Sequence, residues 1–229
     1  MALALDGSTP AQASGTAGSA TTAGFTAPSG AILVATVAAN NDTAGANVTI
    51  AMSDTGSLSW SAGPERDQGD GGAQDGHASI WYATTASAVS RTVTASASAS
   101  VGAVQDVVLN VFVLTGQDTT DPIGASGEGS STTNDITPTI FTSEAANSWA
   151  VVVGSDWSAQ GAPTSSDLTE TSYDRTATYS ATAGYKSLGA AGSQSANLNG
   201  GGAGATTWNW AAIEIKEQVT PKVVAWIVA

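Results

Sequence analysis

The chain has 229 residues, a formal net charge of −13, one histidine, no cysteine and only six Lys plus Arg. That inventory excludes a basic stripe for nucleic acid, a disulfide frame, a thiolate nucleophile and a cysteine-ligated metal. It also leaves few of the side chains on which most catalytic designs depend.

The stretch from Met1 to Asp6 lacks the basic region and apolar run of a signal peptide. No segment approaches the ~20 apolar residues of a membrane span. The expectation is a soluble protein made in the cytoplasm, without membrane insertion. Residues 1–23 read as an N-terminal arm. Residues 7–23, rich in Ser, Thr, Ala and Gly, fit an extended segment or a loose edge strand.

Strand signals follow. Ala31 to Ala39 is apolar and β-branched after the turn signal Pro28-Ser29-Gly30. Asn47 to Ser53 alternates, with Val48, Ile50 and Met52 on one face. Ser79 to Ala83 is short and aromatic. Thr92 to Val101 alternates small apolar and hydroxyl residues, the pattern of a half-buried strand. Val107 to Leu114 is almost continuously apolar and predicts a central strand covered on both faces.

The second half repeats this order, with strands expected at Trp149 to Val153, Thr176 to Lys186, Ser195 to Leu198 and Trp208 to Lys216. Phe25-Thr26 and Phe141-Thr142 each precede the first apolar run of their half. No segment has sustained helical spacing with caps. The fold class is therefore all-β, an antiparallel two-sheet β-sandwich of jelly-roll type with two pseudo-repeated halves. The sandwich is expected over 24–217, with halves near 24–120 and 136–217. Two separate small sandwiches are the alternative.

Four features could carry chemistry or binding. The loop from Gly63 to His77 gathers Asp67, Asp70 and Asp75 among glycines, an oxygen-rich arrangement that suits Ca2+. The alternative is a solvated hairpin loop, and no other cofactor is implied. His77 would need a serine and an acid beside it to act as a base. A lone loop histidine is otherwise polar surface, so no catalytic residue is expected.

In the last strand, period 2 places Trp208, Trp210, Ala212 and Glu214 on one face. Two indoles beside a carboxylate could stack on a sugar. Equally, they could cover the second face of a central strand. Trp60, Trp157 and Trp208 are the candidate glycan-stacking residues. Trp60 and Trp157 could also be lids on the open ends of the sandwich.

Residues 218–229 form an apolar tail. Val219, Pro221, Val223, Val224, Trp226, Ile227 and Val228 are the candidate assembly contact, because an unguarded apolar edge invites docking or aggregation.

Phe25 to Ala35, Ser57-Leu-Ser-Trp60, Ile80-Trp-Tyr-Ala83 and Trp210 to Ile215 together resemble β-sandwich virion proteins of tailed bacteriophages, the minor tail or capsid-associated proteins. The resemblance covers roughly residues 20–217. It implies a structural or adhesive role in the virion and carries no catalytic residue. The expected function is a non-enzymatic virion protein that assembles through its terminal arms. Its expected partners are other virion proteins, further copies of itself in a homo-oligomer, and a host-surface glycan, but no nucleic acid. The alternative is a carbohydrate-binding module or receptor-binding adhesin.

Overall fold

The computed structural model describes residues 1–41, 43, 45–67, 75–133, 135–156, 164–175, 179–199 and 208–219. These residues form an all-β fold of antiparallel sheets with no helix. The first half holds β1 (Ala4–Leu5), β2 (Ala13–Gly15), β3 (Ser19–Thr21), β4 (Phe25–Thr26), β5 (Ile32–Asn41), β6 (Val48–Asp54), β7 (Ser61–Asp67), β8 (Asp75–Thr84), β9 (Ser90–Arg91), β10 (Val93–Ala99) and β11 (Val104–Thr115). The second holds β12 (Ile123–Ser131), β13 (Asp135–Ile136), β14 (Thr139–Ser143), β15 (Trp149–Asp156), β16 (Thr169–Arg175), β17 (Tyr179–Ser187), β18 (Gly192–Ser195), β19 (Leu198–Asn199) and β20 (Trp208–Ile215).

Two large sheets have the same strand sequence. One runs β1-β11-β5-β8-β7, with β2 also paired to β11. The other runs β12-β20-β15-β17-β16. Each half adds smaller pairings outside its large sheet. These are β3-β10-β6 with β4-β9 in the first, and β13-β19 with β14-β18 in the second.

Alternation along the strands explains the layering. Ile32, Val34, Ile80, Phe112 and Leu114 from one large sheet share a core with Val151, Val153, Ala183, Ile213 and Ile215 from the other. Tyr185 fastens this layer, stacking on Trp149 at 4.9 Å and meeting the Phe112 ring edge-on at 5.6 Å. The intervening residues Leu33, Val37, Leu109 and Val113 point the other way, against Val48, Ile50, Val93 and Ala95 of β6 and β10. In the second half, Val152, Trp208 and Trp210 point outward onto Ile136, Phe141 and Leu198. Both central strands, β11 and β20, are thus covered on two faces, as continuous apolar runs require.

Residues 7–23 supply the short edge strands β2 and β3 to two sheets, with Ala20 buried. Other boundaries differ from the sequence reading. The expected strand over Ser195 to Leu198 divides into β18 and β19. The segment read as the loop Gly63 to His77 is strand at both ends, where β7 pairs β8. Pro64 sits at the irregularity between Ala62 and Glu65, on a sheet edge where its missing N–H costs nothing.

Candidate functional site

The two ends of the described chain meet at one corner. Ala4 and Leu5 pair with Thr115 and Leu114 at the edge of β11. The chain then turns at Gly116, which has φ 81°. A Cβ there would collide with the carbonyl of Ala2, so only glycine lets the first residues approach. Gln117 bridges to Glu217, and the Gln218 N–H donates to Gly116 O at 2.8 Å. The Met1 ammonium donates to Gln218 O at 3.3 Å. The Gln218 side-chain oxygen accepts from both the N–H and the hydroxyl of Thr119, each at 3.2 Å.

Lys216 closes the outer side of this corner. Its ammonium contacts Asp121 at 2.5 Å and Glu144 at 3.6 Å. The hydrogen bond to the Asp121 carboxylate raises its pKa above the ordinary lysine value, outweighing the opposite effect of burial. A shallow cleft of about 320 Å3 lies here, lined in part by Met1, Gly30, Ala31 and Gln218. Val219 is 71% exposed as the chain leaves the corner. Of the candidate assembly residues, Val219 is therefore placed here. Pro221, Val223, Val224, Trp226, Ile227 and Val228 lie outside the described residues.

The remaining candidates fall apart as a single site. Asp67 ends β7, and its carboxylate accepts from the Val48 N–H at 2.6 Å. Asp70 and the side chain of Asp75 lie outside what the structure describes. Among the described residues no group of three or more His, Cys, Asp or Glu is placed to hold a metal ion. His77, expected on a surface loop, is 0% exposed inside β8. Pairing with Ala39 on one side and Asp67 on the other draws it into the sheet. Its Nδ1 lies 3.7 Å from Asp67, and neither ring nitrogen finds a hydrogen-bond partner among the described residues. No described serine is hydrogen-bonded to it as a nucleophile would be.

Glu214 and its two tryptophans are also enclosed. Trp208 is 0% exposed and Trp210 nearly so, both packed in the outer core of the second half. The stacking role expected for Trp208 is thereby corrected, since a buried indole has no face to offer a sugar. The Glu214 carboxylate accepts from the N–H groups of Ala125, Glu144 and Ala145 at 3.0, 2.9 and 3.1 Å. It also accepts from the Ser148 hydroxyl at 2.6 Å. Burial alone would raise its pKa, but these four donors hold it below the ordinary glutamate value. Such a carboxylate ties loops together and has no proton to exchange near neutral pH.

Trp60 is half-buried, with its indole N–H directed to Asp54 at 3.3 Å. Trp157 lies outside the described residues. The sequence reading passed over Asp54 and Arg91. They form an ion pair at 3.4 Å with both side chains about 1% exposed. The signal available was the turn Asp54-Thr-Gly56 and the scarcity of arginine itself. No helix among the described residues is long and apolar enough to cross a membrane.

No family model matches this chain, and neither a curated protein nor a solved structure does.

Proposed function

We propose that this chain is a non-enzymatic structural protein of a phage virion, a minor tail or capsid decoration protein, that assembles through its terminal segments. One observation carries the reading. Met1 and Gln218 are hydrogen-bonded at a single corner, and the apolar segment from Val219 onward departs from it. Contacts made beside Met1 and at Val219 therefore fall at one place on the surface, which suits a fixed orientation within a larger assembly.

Two further observations support it. The buried carboxylates Glu214 and Asp54 are capped by backbone N–H groups and serve loops. The net charge of −13 disfavours nucleic acid as a partner. The resemblance to β-sandwich virion proteins points the same way.

The test is to delete residues 219–229 and purify particles from infected cells. The truncated protein should keep the unfolding temperature of the full chain and be missing from particles. Incorporation at the full-length level would refute the assembly role of this segment.

A further inference from the structure

The terminal corner gathers exposed apolar surface. Five large apolar side chains are exposed among the described residues, and three of them, Met1, Leu5 and Val219, stand here. Met1 also lines the cleft of about 320 Å3, together with Ala31 and Gly116. Apolar groups clustered in this way mark a contact surface, whereas single ones do not.

The backbone is open at the same place. The Gln218 N–H donates to Gly116 O, and its carbonyl accepts from the Met1 ammonium. Lys216 O accepts from the Asp118 N–H on the same side. Along an extended strand, neighbouring residues direct these groups to opposite sides. Glu217 and Val219 therefore turn theirs away from Gly116, and no described residue bonds them there.

Charge adds a third element. Asp118, Asp121, Glu144 and Glu217 collect around the corner, against only Lys216 and the Met1 ammonium. Residues 220–229, which follow Val219, carry one charged side chain, Lys222, ahead of the uninterrupted apolar run Val223 to Ala229. Extended, these residues reach about 33 Å.

We infer that the corner seats residues 220–229 of a second copy of this chain, the two copies exchanging these segments about a two-fold axis. The inference rests on the assembly reading above and names the partner. The apolar run adds as a strand to the open side of Glu217 and Val219. Lys222 meets the carboxylates, and Trp226, the one ring of the segment, anchors in the cleft. Two arguments favour a second copy over the chain's own segment. Thr220 precedes Pro221 and is held extended, which carries the chain away from its own cleft. A segment laid on its own corner would also keep one apolar edge unpaired, whereas exchanged segments cover each other and the contact closes.

The experiment is sedimentation velocity of the full chain from about 1 to 300 μM. A closed dimer should form, with a dissociation constant of about 1 μM. Trp226→Asp should weaken it by about 100-fold or more, and Lys222→Glu by about tenfold. Ser29→Trp, at an exposed position lining the cleft, should block the seat and weaken the dimer about as much as Trp226→Asp. All three variants should keep the unfolding temperature of the dissociated full chain. Mixed, Trp226→Asp and Ser29→Trp should recover dimers, because one seat and one segment remain intact between them. Failure of the mixture to dimerise would overturn the exchange. So would a full chain that is monomeric throughout, dimers that survive Trp226→Asp, or open-ended oligomers that grow with concentration. A monomeric full chain whose truncated form is still missing from particles would sink this inference alone and leave the assembly role standing.

Discussion

The two halves share a turn and a strand order but finish them with different chemistry. Before β5 the chain passes through Gly30 at φ 78°, and before β15 it passes through Asn147 at φ 59°. In each case the N–H of this same residue is bonded just beyond the end of the neighbouring strand. Gly30 N–H donates to Thr85 O and Asn147 N–H to Gly189 O. In the first half the Thr85 hydroxyl seals the turn against Pro28 and Ala31 carbonyls. In the second, the Ser148 hydroxyl and the Glu214 carboxylate do so. The outer cores differ as well. Val107 opposes Ala39 in the first half, whereas Trp208 opposes Asp156 in the second. A common backbone frame thus tolerates either small aliphatic packing or large indoles with a buried acid. The second solution concentrates stability in fewer side chains.

Five substitutions bear on that comparison. Trp208→Ala should cost about 4 kcal/mol, because it empties a fully enclosed indole site. Val107→Ala, at the corresponding place, should cost about 1 to 2 kcal/mol. Equal losses in urea unfolding would break the claim that the second half depends on fewer residues.

Glu214→Gln should cost about 2 kcal/mol near neutral pH, since a charged acceptor of four hydrogen bonds is lost. The folded pKa of Glu214 lies below the ordinary value of 4.5. Its contribution is therefore complete above the unfolded-state value and disappears as pH falls through the lower, folded one. The gap between wild type and variant should shrink on acidification, and a gap independent of pH would contradict the assignment. Smallest is the effect at the shared turn. Gly30→Ala should cost about 1 kcal/mol by forcing a Cβ into the left-handed region. Asn147→Gly should change stability by no more than about 0.5 kcal/mol.

The strands with an apolar face were legible from sequence alone. β11 announces itself by Val107 to Leu114, and β20 by its alternation, with Trp208 and Trp210 on the face opposite Ile213 and Ile215. The edge strands were not legible. β7 (Ser61–Asp67) contains Gly, Pro and three charges, and β12 (Ile123–Ser131) is mostly Gly and Ser. Their extended form comes from the neighbours β8 and β20, and local preference yields to that pairing. His77 was misplaced for the same reason, since its burial depends on β5 and β7 lying on either side. The terminal corner joins Met1 to Gln218, a contact between residues 217 apart that no local pattern encodes. The Asp54–Arg91 pair was missed because two strands, β7 and β8, separate its partners, and nothing in either local sequence marks the other.

The central position of β20 has a mechanical consequence. All eight of its residues are paired with β15, and most are also paired with β12. A pull applied along the axis of this strand loads two ladders of hydrogen bonds in shear at once. A pull on Met1 meets β1, a two-residue strand at a sheet edge. That strand can be peeled away one bond at a time. The same corner therefore offers one anchor that resists force and another that yields to it.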